Sequence, residues 1–207
     1  MATISKVYTP ANIWQGPVDV YVNVPAPASH NPPTADVDEI TLDANGQPPS
    51  GGVHLGSLEA PAQISITEKF NEIRDDQHES AGDVAFDTVE AEIDVVLKET
   101  ALDNLKTLLT ANALGTYTSL AGTRVLQVGG QMSSALTFFT LMLVGPNRAN
   151  TAKFAYVFAF KAYLKSAVQV TFHRSKENSH KLKFGCVADV SATRLAGDEL
   201  LQIVKTK

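Results

Sequence analysis

The sequence predicts a mainly β protein: a two-sheet β-sandwich or partly closed barrel with one flanking α-helix and long loop arms. Three observations carry this expectation. Segments with an apolar period of two recur along the chain and mark half-buried strands. One segment, opening at Thr100, carries a clear helical stripe. The strands are not interleaved with helices, so a parallel βαβ sheet is not expected. With 207 residues and 44% apolar composition, the chain is sized for a single domain over 1–207 with a substantial core.

Val18, Val20, Val22 and Val24 alternate with Asp19, Tyr21 and Asn23, between Gly16-Pro17 and Pro25, and predict the first strand. From Pro25 to Pro61 the composition shifts. Seven of the ten prolines lie there, with turn chemistry at Asn45-Gly46 and Gly51-Gly52, and only Ile40-Thr41-Leu42 resembles a strand. A connection of this length is expected to be a functional arm or surface flap. Asn31, Asp36, Asp38 and His54 are its candidate contact residues.

A hairpin follows. Its first strand, Ala62–Phe70, turns Ile64 and Ile66 one way and Ser65, Thr67 and Lys69 the other. Its second, Asp83–Lys98, sets Ala91, Ile93, Val95 and Leu97 against Glu90, Glu92 and Asp94, so one face is apolar and the other wet and acidic. The loop between them, residues 71–82, exceeds what a hairpin needs and carries Glu72, Arg74, Asp75, Asp76, His78 and Glu79. It reads either as a solvated tip or as an arm that reaches another subunit.

The helix is expected from Thr100, a capping residue, to about Asn112, with Leu102, Leu105, Leu108 and Leu109 on one stripe and Gly115 as its stop. Further strands are predicted at Thr123–Val128, Leu136–Val144, Phe154–Leu164, Val168–Phe172 and Lys181–Val190, for about eight to ten in all.

The net charge of -5 argues against a non-specific nucleic-acid binder, which would present a basic surface. One cysteine, Cys186, allows no intrachain disulfide. The first residues lack an apolar segment, so no signal peptide is expected, and the longest apolar run, Leu136–Val144, is too short for a membrane span.

Catalytic chemistry is not expected. Gly129-Gly130 leads to Gln131-Met132 rather than the Lys-Ser/Thr of a phosphate loop. His173 and His180 with Cys186 fall short of a zinc set, and Asp36, Asp38, Asp43 and Asn45 lack calcium-loop spacing. Glu90, Glu92 and Asp94 share one environment, whereas a glycosidase pair needs two. Neither a cofactor nor a metal is implied.

The order of features resembles the major tail tube proteins of long-tailed bacteriophages, within the wider group of phage and secretion-machine tubes. The likeness runs from Ile13-Trp14-Gln15-Gly16-Pro17-Val18-Asp19-Val20-Tyr21-Val22 through the turn-rich segment ending His54-Leu55-Gly56-Ser57-Leu58-Glu59. It continues over the hairpin to Leu97, the Leu-rich helix at Glu99–Leu105, and the closing strands Val168–Phe172 and Leu182–Val190. The resemblance implies a structural virion protein that self-assembles into rings of six copies, stacked as a hollow tail tube down which double-stranded DNA passes without specific binding. It implies a virion tail location, with host cytoplasm during assembly, and tape measure, tail tip and tail terminator proteins as partners. On this likeness Glu90, Glu92 and Asp94 face the lumen, and the 71–82 loop contacts a neighbouring subunit or ring. Two other readings stand beside it: another ring-forming tail component such as a tail terminator, and a ligand-binding β-sandwich module, for example for glycans.

Overall fold

The computed structural model describes residues 17–27, 42–43, 47–48, 52–73, 83–98, 101–110, 115–120, 123–128, 138–146, 154–168, 179–191 and 199–205. Along the chain come β1 (Asp19–Val22), β2 (Val53–Ile73), β3 (Asp83–Leu97), α1 (Leu102–Thr110), β4 (Gly115–Leu120), β5 (Thr123–Val128), β6 (Phe139–Pro146), β7 (Phe154–Leu164), β8 (His180–Cys186) and β9 (Leu201–Lys205). The fold is mainly β, with one helix among the described residues.

Seven strands form one antiparallel sheet in the order β6-β1-β2-β3-β8-β7-β9, and β6 also pairs with β7. Six strands therefore make a closed circuit, β1-β2-β3-β8-β7-β6, with β9 added on the outer edge of β7. Closure removes sheet edges that would otherwise expose unpaired backbone groups. The seam between β7 and β8 is short: Ala162, Tyr163 and Leu164 pair with Cys186, Gly185 and Phe184. β4 and β5 form a separate hairpin.

The barrel interior holds Val20, Val22, Leu55, Ile93, Val95, Leu97, Phe139, Leu141, Val157, Leu182 and Phe184, all buried. In β3 and β8 these residues alternate with polar ones, so only one face is apolar, whereas β6 and β7 are apolar on both faces. Helix α1 closes the end where β3 finishes. Leu108 enters the core, and Asn104 donates from Nδ2 to the Leu55 carbonyl at 2.7 Å. A second apolar cluster, Tyr21, Met142, Val144, Tyr156, Phe158, Phe160 and Val204, lies on the outer side of β1, β6, β7 and β9.

Several boundaries differ from expectation. β2 begins at Val53, so the last nine residues of the predicted 25–61 arm are barrel wall. Pro61 suggested a loop, but it sits where the β2–β3 register shifts between Ala60 and Gln63, one of the few places a strand tolerates proline. At the other end β2 continues through Asn71, Glu72 and Ile73, shortening the predicted 71–82 loop. Gly56 has a φ of 121° beside a bulge opposite Val20 and Tyr21, a backbone conformation suited to glycine. Strands β4 and β9 were not expected. The predicted strand at Val168–Phe172 lies outside the described residues except Val168, which is not in a strand.

Candidate functional site

The β2–β3 hairpin carries two of the three regions that the sequence singles out, the acidic face and the start of the 71–82 loop. On its wet face, Glu90, Glu92 and Asp94 project from β3, opposite the buried Ala91, Ile93 and Val95. They do not form an isolated acidic row. Lys69 on β2 pairs with Glu90. Glu92 accepts from Lys165, which follows β7, and from Lys183 on β8 at 2.7 Å, and Lys183 lies 4.0 Å from Asp94. The six charges cancel, and Lys181 lies further along the same face of β8, opposite Val96. The expected acidic face is thus a mixed-charge face.

Its electrostatics follow from these contacts. Hydrogen bonds from Lys165 and then Lys183 hold the Glu92 carboxyl down at about 2, below its ordinary 4.5. The same hydrogen bonds raise both lysines above their usual value. Burial, and secondarily the Glu92 charge, pushes the Cys186 thiol up to about 12, so it is inert at neutral pH. Beside this network the Tyr163 ring lies against Gly185, where an added Cβ would come within 2.7 Å of it.

Beyond Ala91 the hairpin leaves the barrel as a two-stranded ribbon, 67–73 paired with 83–90. Lys69 pairs with Thr88 but Phe70 with Phe86, so Asp87 is an extra residue in β3. This bulge flips the β3 alternation: apolar residues fall at 84 and 86 before it and at 89, 91 and 93 after it. Ile66, Phe70, Val84, Phe86 and Val89 consequently continue the barrel's apolar face into solvent, interrupted by Glu68 and Glu72. Ile66, Phe70 and Phe86 are 52%, 52% and 59% exposed. The Phe70 and Phe86 rings meet edge to face at 5.9 Å and form one aromatic knob. Sequence reading missed this strip, although the parity switch between Phe86 and Val89 was visible.

Of the predicted loop contacts, Glu72 lies in β2, while Arg74, Asp75, Asp76, His78 and Glu79 lie outside the described residues. Of the predicted arm residues, Asn31, Asp36 and Asp38 also lie outside them. His54 belongs to the barrel wall instead: its Nε2 is 3.3 Å from Asp19 Oδ1, and its ring packs 4.9 Å from that of Tyr21. Part of the predicted flap rests on the outer apolar cluster. Leu42 packs there, and Tyr21 donates its hydroxyl hydrogen to Gln47 Oε1 at 2.5 Å.

At the barrel end opposite α1 the wall opens into an apolar mouth of about 560 Å³. Pro17, Leu58, Pro61 and Ala62 line one side, and Leu143, Pro146, Ala155 and Val157 the other. Among the described residues, no cluster of three or more His, Cys, Asp or Glu side chains is arranged to hold a metal ion. No helix there is long and apolar enough to cross a membrane. Comparison with known proteins gives no match to any family model and none to a curated protein.

Proposed function

We propose that this chain is a structural protein whose copies join into rings and stack as a hollow tube for the passage of DNA, as its resemblance to phage major tail tube proteins implies. The observation that supports assembly most directly is the ribbon. A monomer that ends its life as a monomer gains nothing from holding two phenylalanines and an isoleucine in water, and exposed apolar patches of this kind mark interaction surfaces. The ribbon also presents strand edges beyond the reach of β1 and β8, which are templates for pairing with another chain.

On this reading the mixed-charge face lines the bore. Tight binding of DNA comes from cations that displace counterions from phosphates. Lys69, Lys165 and Lys183 are already engaged by carboxylates on the same face. Such a surface neither grips nor strongly repels a polyanion, which suits a conduit. Charge compensation, rather than an acidic coat, supplies the non-stick property.

A second reading has one observation in its favour. An apolar mouth of about 560 Å³ is within the size range of small-molecule sites, which occur at the mouths of β-barrels. Negative-stain electron microscopy of the purified chain over a range of concentration, with light scattering, separates the two. Rings or open tubes are expected. A chain that stays monomeric even with a tail-tip seed, and binds a small apolar ligand in its mouth, overturns the tube reading.

A further inference from the structure

The barrel carries an open apolar mouth, and the ribbon carries apolar side chains in water. We infer that the ribbon of one copy seats its Phe70–Phe86 knob in the barrel mouth of a second copy, joining copies head to tail. This rests on the assembly reading above and names the surfaces that carry it.

The knob is preformed. Phe70 and Phe86 are cross-strand partners whose rings already touch, so little side-chain freedom remains to be lost on docking. The hole is preformed as well, walled by Pro17, Pro61 and Pro146 with Leu58, Ala62 and Val157. Prolines hold such a wall open because their backbone is rigid.

The knob is carried away from its own mouth. Ile64 lines the mouth, and Phe70 lies six residues further along the same strand, roughly 20 Å at the rise of extended chain. The occupant is therefore another copy of this chain. Knob and hollow are different patches at one end of the barrel, joined at Ile64, so insertion in one direction only is a heterologous contact, which generates rings or filaments.

The areas set the size of this contact. Ile66, Phe70 and Phe86, each about half exposed, with Val89 at 38%, offer on the order of 400 Å² of apolar surface. The mouth's lining is smaller than this strip, so the knob seated in it supplies about a quarter of the ~1,600 Å² of a standard interface. Backbone pairing along the ribbon's edges supplies further contact. Glu68 and Glu72 flank Phe70 on the same face of β2, so the aromatic pair itself is the part that fits an apolar mouth.

Disulfide trapping in the full chain tests the contact. With Cys186→Ala as background, Phe86→Cys and Ala62→Cys are combined in one chain and oxidised. A ladder of covalent trimers and longer species is expected, whereas each cysteine alone gives no ladder. Rings or tubes without any cross-link overturn the knob-in-mouth contact and leave the tube reading standing. A ladder that stops at two copies shows reciprocal exchange and overturns the head-to-tail arrangement. A parent chain with no self-association at any concentration overturns both. As an independent check, Phe70→Ser with Phe86→Ser raises the midpoint concentration of self-association at least ten-fold, with an unchanged circular dichroism spectrum. An unchanged midpoint in that folded variant overturns the inference.

Discussion

The β2–β3 hairpin contains two regions built from the same pattern with opposite outcomes. In the barrel half, Ile93 and Val95 are fully buried against strands and helix from across the chain. In the ribbon half, Phe70 and Phe86 occupy the equivalent face and stand in water. Both halves alternate apolar and polar residues, so alternation states which face is apolar and not what covers it. The cover comes from elements far away in sequence, and where they stop the same face becomes available to a partner.

The comparison is sharpened first by truncating one aromatic in each half. Phe184→Ala, in the barrel interior beside Ile93, lowers monomer stability by about 3–5 kcal/mol in urea unfolding, because a cavity adds to the lost transfer energy. Phe86→Ala costs less than ~1 kcal/mol in the same assay, as its ring is already wet in the monomer. Equal losses would mean the ribbon folds back onto the barrel.

A smaller effect is expected where the wet face is packed. Gly185→Ala forces the Tyr163 ring aside and costs roughly 1–3 kcal/mol. Combining it with Tyr163→Ala recovers part of that loss, because the two residues share one contact. Tyr21→Phe removes the hydroxyl that Gln47 accepts and costs about 1 kcal/mol. It leaves the buried ring in place, so the outer cluster stays intact.

The smallest effect concerns charge. The Glu92 carboxyl is held at about 2 in the folded chain against an ordinary 4.5. The folded state thus binds fewer protons than the unfolded chain in this window. Its contribution is complete above pH 4.5 and is lost as pH falls toward 2. Glu92→Gln removes that dependence, so stabilities of parent and variant converge as pH falls from 6 to 2. Parallel curves would show that the lysine contacts do not form in solution. Salt weakens the same contribution, since these side chains are solvent-facing.

How much of this was legible in the sequence follows from range. Valine alternation between Val18 and Val24 marked β1, and Phe154–Leu164 marked β7, because each signal is contained in its own segment. The Leu stripe marked α1 for the same reason. β9 was missed since five residues, Leu201–Lys205, are too short to show a period. β4 was missed because Gly115, a plausible helix stop, opens a strand instead. The carboxylates of β3 were found but read as acidic. Their lysines arrive from Lys165 and Lys183, some 70 to 90 positions away, and no local pattern announces that meeting. The ribbon's strip was hidden by one residue, Asp87, which shifts the alternation by a step.

The seam between β7 and β8 has a consequence for motion. Three residue pairs hold it, extended by the amides of Lys165 and Val187 donating to Lys183 and Lys161 carbonyls at 2.8 Å. The seams of β1 are of similar length, four residue pairs to β2 and four to β6, whereas β2–β3 and β3–β8 are longer. Glu92, anchored on β3, reaches both Lys183 on one side of the seam and Lys165 on the other, and so works as a clasp over this short closure. Local opening begins where few backbone bonds must break together. The barrel will therefore breathe by unzipping here, with the amides of Lys165, Ser166 and Val187 exchanging ahead of those in β3, and acid will loosen this one line before it unfolds the chain.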